Sequence, residues 1–125
     1  MTAVADRLTR VDICSLDQLT PELGVAAIVG GEQVAVFRLA DDRVFAVSNL
    51  CPFSGAAVIS RGITGSRGEV PTIASPVYKQ VFSLVDGHCL DAGDRVALPG
   101  RGPDLAVYAV SVDDGRVTID LTAPA

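Results

Sequence analysis

The stretch Val44-Phe45-Ala46-Val47-Ser48-Asn49-Leu50-Cys51-Pro52-Phe53 starts as a β-strand and ends as a stiffened loop. Its first residues are largely β-branched or aromatic, types that pack well on a pleated sheet. Its last three put a thiol, a proline with fixed φ and an aromatic ring at the loop. A second stretch of similar form, Ile73-Ala74-Ser75-Pro76-Val77-Tyr78, leads into Gln80-Val81-Phe82-Ser83-Leu84-Val85-Asp86-Gly87-His88-Cys89-Leu90-Asp91. In both loops a proline comes after a small polar or thiol side chain, with an aromatic residue just beyond.

Outward from these loops the chain reads as all-β. It holds eighteen Val, which lose rotamer freedom in a helix and fit a pleated surface. Short apolar runs separated by turn residues give candidate strands at Ala26–Val29, Glu32–Leu39, Val44–Ser48, Val70–Ala74, Val81–Leu84, Leu105–Val112 and Val117–Leu121. Asp41-Asp42 and Asp113-Asp114-Gly115 read as hairpin turns, Gly115 supplying positive φ without steric cost. In the last strand Val117, Ile119 and Leu121 share one face and Thr118 and Asp120 the other, the alternation of a half-buried strand. Ser15-Leu-Asp-Gln18 has capping-box form, and Pro21 limits any helix there to about a turn. The first ten or so residues and the tail Thr122–Ala125 are expected to fray. Two long segments, Asn49–Glu69 and Asp86–Asp104, read as irregular, a length uncommon in a compact β domain unless the loops have a task.

The 125 residues form one domain, 1–125, by length. Ten Lys/Arg against fifteen Asp/Glu leave a net charge of -5, and aromatic residues are 5% with no Trp. That balance argues against nucleic acid as a partner, since phosphate recognition needs cations and base stacking needs rings. No run reaches the roughly 20 apolar residues of a membrane helix, and the N-terminus lacks a signal-peptide h-region, so a cytoplasmic location is expected. Three scattered cysteines, Cys14, Cys51 and Cys89, give no disulfide framework. A zinc set of those three with His88 has unmatched spacings, and residues 88 and 89 would point to opposite faces of a strand. One histidine and no Gly-x-Ser-x-Gly leave no Ser–His–Asp arrangement, and no dinucleotide or phosphate loop is present; Gly30-Gly31 reads as a turn. The pairs Asp41-Asp42 and Asp113-Asp114 are read as solvated turn residues.

The two loops resemble the cluster-binding loops of Rieske [2Fe–2S] proteins, whose pattern is Cys-x-His in the first loop and Cys-x-x-His in the second. On that pattern Cys51 keeps the first position, and Phe53, Ser75 and Tyr78 stand where His, Cys and His would be. Two His are required and the chain has only His88; an all-Cys cluster needs four thiolates and there are three. No metal or cofactor is therefore expected on this chain.

Further residues sharpen the resemblance. Val36-Phe37-Arg38-Leu39, Val44–Asn49, Pro52-Phe53, Val58-Ile59-Ser60-Arg61-Gly62, Ala74-Ser75-Pro76-Val77-Tyr78-Lys79-Gln80 and Asp86–Leu90 together resemble the small subunit of assimilatory NAD(P)H-dependent nitrite reductase. The resemblance spans roughly residues 12–121. It implies an all-β, Rieske-like antiparallel β-sandwich with a smaller loop-rich sub-domain at about 48–82. It also implies a partner, a large subunit carrying FAD, sirohaem and an iron–sulfur centre, and a non-catalytic role for this chain in reducing nitrite to ammonium. The loop tip is the expected docking point, with Phe53, Arg61, Arg67, Tyr78 and Lys79 as interface candidates. The competing expectation has Phe53 and Tyr78 packing on each other to fill the vacated cluster cavity. Alternative readings are a stand-alone Rieske-like binding or assembly module and a ferredoxin component of another oxidoreductase.

Overall fold

The computed structural model describes residues 10–100 and 102–121. The ends expected to fray lie outside these residues, Arg10 excepted. The all-β expectation holds: among the described residues, ten strands form two antiparallel sheets. They are β1 (Arg10–Ser15), β2 (Gly24–Val29), β3 (Glu32–Arg38), β4 (Val44–Ser48), β5 (Ile63–Arg67), β6 (Val70–Ala74), β7 (Val81–Ser83), β8 (Cys89–Asp91), β9 (Val107–Asp113) and β10 (Arg116–Asp120). Six strands run in the order β1-β10-β9-β4-β3-β2 and four in the order β5-β6-β7-β8. The six-stranded sheet curls on itself like a barrel, because Val117 and Ile119 of β10 share a core with Val29 of β2 and Val34 and Val36 of β3.

A second core lies on the other face of β3 and β4. Alternate residues of a strand point to opposite faces, so Val34 and Val36 enter the barrel while Ala35 and Phe37 enter the core shared with the four-stranded sheet. β4 divides likewise, Ala46 inward and Val47 toward the second sheet. This double burial is why the stretch 34–39 reads as almost continuously apolar.

The turns fix the register. Val29 faces Glu32 across Gly30-Gly31, and Arg38 faces Val44 across the Asp41-Asp42 turn. Asp113 is itself paired, with Arg116, so the last hairpin is the two-residue loop Asp114-Gly115. Both its residues have positive φ, 54° and 77°, the pattern of a type I′ turn. The helical expectation reduces to a single 3-10 turn, Leu16–Gln18, in which the Ser15 N–H donates to the Gln18 side-chain oxygen at 2.9 Å. Arg38 pins that turn to the end of β3, donating to the carbonyls of Leu16 (3.2 Å) and Leu19 (3.1 Å) and to Asp42 (2.8 Å).

Three strands escaped the sequence reading. β1 alternates Val11 and Ile13 with Asp12, a signal masked by the helix cap at Ser15 and the expectation of fraying. β5, inside the segment read as irregular, buries almost nothing, and β8 is only three residues long. Both are edge strands held by backbone pairing to β6 and β7 rather than by an apolar face. With β8 added, the four-stranded sheet extends to Asp91, past the Phe82 boundary expected for the sub-domain.

Gly87 closes the β7–β8 connection where the chain returns to the large sheet. Its N–H donates to Ser83 and its carbonyl accepts from Leu105. Its φ is +77°, and a Cβ there would collide with the Leu105 carbonyl. Gly115 has the same φ with open space around it. Gly87→Ala is therefore expected to cost about 2–4 kcal/mol and Gly115→Ala about 1 kcal/mol in urea unfolding. Equal costs would show that the Leu105 contact constrains nothing.

Candidate functional site

The two loops that resemble cluster loops meet beside the second core. Loop 1 leaves β4 at Asn49, which is buried and organises the rest of the loop. Its carbonyl accepts the Ile59 N–H (3.1 Å) and its side-chain oxygen the Ser60 N–H (2.7 Å), pinning the 3-10 turn Ile59–Arg61 to the strand end. Sequence reasoning passed over Asn49; its place between a strand end and a turn was the available signal. The loop folds back at Cys51, whose N–H donates to the Ala56 carbonyl and whose carbonyl accepts from Gly55. Loop 2 joins β6 to β7, its base closed by the Ser75 N–H on the Gln80 carbonyl and the Lys79 N–H on the Ser75 carbonyl.

Cys51 and Ser75, both buried, come together, the Ser75 hydroxyl donating to the Cys51 sulfur at 3.6 Å. Burial pushes the Cys51 thiol up. Hydrogen bonds from the Ser54 and Ser75 hydroxyls and from the Ser54 and Phe53 backbone N–H groups outweigh it and hold the thiol below its usual range. Phe53 does not stand at an exposed tip. Only 5% exposed, it lies in the second core with its ring 6.2 Å from that of Phe82. Tyr78 turns the other way, 39% exposed, with the Arg95 guanidinium 3.5 Å from its ring centroid. The expected Phe53–Tyr78 stack is thus replaced by two separate contacts, one inward and one outward.

A third segment laps over both loops. The Leu98 N–H donates to the Pro52 carbonyl at 3.0 Å, Ala92 and Ala97 pack against the second core, and Arg95 covers Tyr78. This strap, residues 92–100, gives a task to part of a segment read as irregular. The other interface candidates scatter. Arg61 sits on the 3-10 turn against β2 and β3, and Arg67 pairs with Asp91 at 3.4 Å, joining the edge strands β5 and β8. Lys79 stands exposed beside Tyr78 with φ +63°.

The fold family implies a [2Fe–2S] cluster, and these residues do not fit one. Of the four ligand positions only Cys51 offers a thiolate; Phe53 has no lone pair and is committed to Phe82, and the Ser75 hydroxyl is committed to Cys51. His88 is turned toward Asp104, 3.4 Å away. Cys14 packs with the barrel core while Cys51 and Cys89 belong to the second, so the formal zinc set is not gathered. Among the described residues no three His, Cys, Asp or Glu are placed to hold a metal ion.

Comparison with known proteins decides the family. The Rieske-like [2Fe-2S] domain family model matches residues 9–120. The nitrite reductase (NADH) small subunit of Escherichia coli strain K12 is 47% identical over 81 residues, 64% of this chain and 75% of that protein. The chain belongs to the nitrite reductase small-subunit family. A Mycobacterium tuberculosis protein described as an NADH-dependent nitrite reductase small subunit has the same fold, with TM-score 0.77, 44% identity and coverage of 88% of this chain and 92% of that one. The family likeness also reaches a longer polypeptide, the nitrite reductase [NAD(P)H] large subunit of Klebsiella oxytoca. It is 37% identical over 107 residues, 86% of this chain but 10% of that protein. Among the described residues no helix is long and apolar enough to cross a membrane.

The two rings should differ in what they contribute to stability. Phe53→Ala should cost about 3–5 kcal/mol by opening a cavity against Phe82, and Tyr78→Ala under about 1 kcal/mol; similar costs would place both rings in one core. Asp86 and Asp91 are held below the ordinary aspartate value, chiefly by the N–H groups of His88 and Gly93, with Arg67 adding to the second. A depressed folded pKa means that their stabilisation is complete above the unfolded value of 3.8 and is lost as pH falls through the folded values. Unfolding free energy measured from about pH 6 down to about pH 3 should therefore fall less steeply for Asp86→Asn/Asp91→Asn than for the parent.

Proposed function

We propose that this chain is the non-catalytic small subunit of an assimilatory NAD(P)H-dependent nitrite reductase, working in the cytoplasm with a large subunit that reduces nitrite to ammonium. The observation that carries the reading is the conversion of the Rieske loops. Their backbone frame is kept, but their four ligand positions hold one thiol, one buried ring, one hydroxyl and one outward tyrosine. Such a site holds no cluster and offers no acid–base pair, so this chain supplies binding and structure, while FAD, sirohaem and an iron–sulfur centre reside on the large subunit. The Klebsiella polypeptide supports the partnership, since a stretch like this chain is part of a large-subunit protein there. The former cluster end of the fold faces that partner, with Tyr78 and Lys79 exposed. Phe53 is buried, and its part in docking is indirect, through the shape of loop 1.

The reading is tested by reconstitution. Cofactor-loaded large subunit, alone and with this chain, is assayed for nitrite-dependent NAD(P)H oxidation and for co-elution. The expected result is a stable complex with higher nitrite reduction than the large subunit alone. Separate elution with unchanged turnover would leave the chain as a binding module for some other system.

A further inference from the structure

We propose that Tyr78 and Arg95, with Val77, Lys79 and Val96 beside them, form the docking face of this chain, and that its occupant is an acidic surface of the nitrite reductase large subunit. The proposal rests on the subunit reading above and adds to it the strap, which nothing in the loop pattern pointed to.

A cation–π contact builds the centre of this face. Arg95 comes from the strap and Tyr78 from loop 2, and the guanidinium carbon lies 3.5 Å from the ring centroid. Tyr and Arg dominate interface energetics where they are anchored. Here each holds the other in place before any partner arrives, which lowers the ordering cost of binding. Exposed apolar residues neighbour the pair in sequence. Val96, next to Arg95, is 87% exposed and Val77, next to Tyr78, 43%, which is hydrophobic surface left in water.

Charge selects the occupant. Eight Lys or Arg lie among the described residues. Five of them, Arg10, Arg38, Arg43, Arg67 and Arg116, pair with aspartates. The three without an ion pair are Arg61, Lys79 and Arg95, and two of these sit at this face. Asp94 adjoins Arg95 in sequence but does not pair with it. On a chain of net charge -5, two cations without an ion pair beside a tyrosine outweigh the neighbouring Asp94 carboxylate, a local positive spot whose complement is carboxylate-rich. Edge strand β2, with Ile28 exposed and Leu23 exposed just before it, is the competing apolar surface.

The test uses the full chain and the cofactor-loaded large subunit, with affinity measured at low and moderate salt. Lys79→Glu/Arg95→Glu should weaken binding at least about tenfold and flatten its salt dependence, and Tyr78→Ala should weaken it to a similar degree. Ile28→Asp should change affinity less than about twofold. Val96→Asp is a second tip variant at a side chain almost wholly in water, and thermal unfolding of each variant separates lost docking from lost folding. Tip variants that stay folded and bind like the parent, or Ile28→Asp alone weakening the complex, would overturn the proposal. If the parent chain itself fails to bind the large subunit, the subunit reading falls and this face falls with it.

Discussion

The structure depends on β3 and β4 being buried on both faces. One set of alternate side chains, Val34 and Val36 with Ala46, closes the barrel; the other, Ala35 and Phe37 with Val47, receives the second sheet. A slip of one residue would send Phe37 into the space built for valines and break both cores together. The flanking turns, Gly30-Gly31 on one side and Asp41-Asp42 with its Arg38 bond on the other, hold that register. Because β4 is fixed, Asn49 and Cys51 at its end are fixed too, and loop 1 arrives beside Ser75.

At the two loops a Rieske-like frame keeps one of its four donor positions, Cys51. A cluster would cross-link the loops through iron. Here the link is the Ser75 hydroxyl on the Cys51 sulfur together with Phe53 driven into the core against Phe82. Burying a ring of that size contributes about 1.5–3 kcal/mol by area alone, which keeps loop 1 seated. The strap adds a third tie through Leu98 and Pro52. What remains outside is an end that presents Tyr78 under Arg95.

Much of this was legible in the chain. The hairpins were visible because turn residues sit between alternating runs, and the ligand positions could be counted directly at Cys51, Phe53, Ser75 and Tyr78. β5 and β8 were not visible, since an edge strand stabilised by its neighbour's backbone needs no apolar pattern of its own. Nor was the divergence of Phe53 and Tyr78. Spacing places both rings near one loop pair, but whether a ring turns inward depends on the room beside Phe82, and the cation over Tyr78 comes from Arg95, a residue of a segment without periodicity. Loop 2 approached loop 1 as the resemblance implied, while the strap that covers them is a tertiary event with no local signature.

The cluster-free subunit proposed for this chain should carry no iron. The most direct test is iron and acid-labile sulfide analysis, with a visible absorption spectrum, of the full chain purified without oxygen. The account predicts no stoichiometric iron or sulfide and a featureless visible spectrum. Two irons and two sulfides per chain with [2Fe–2S] absorption bands would contradict it.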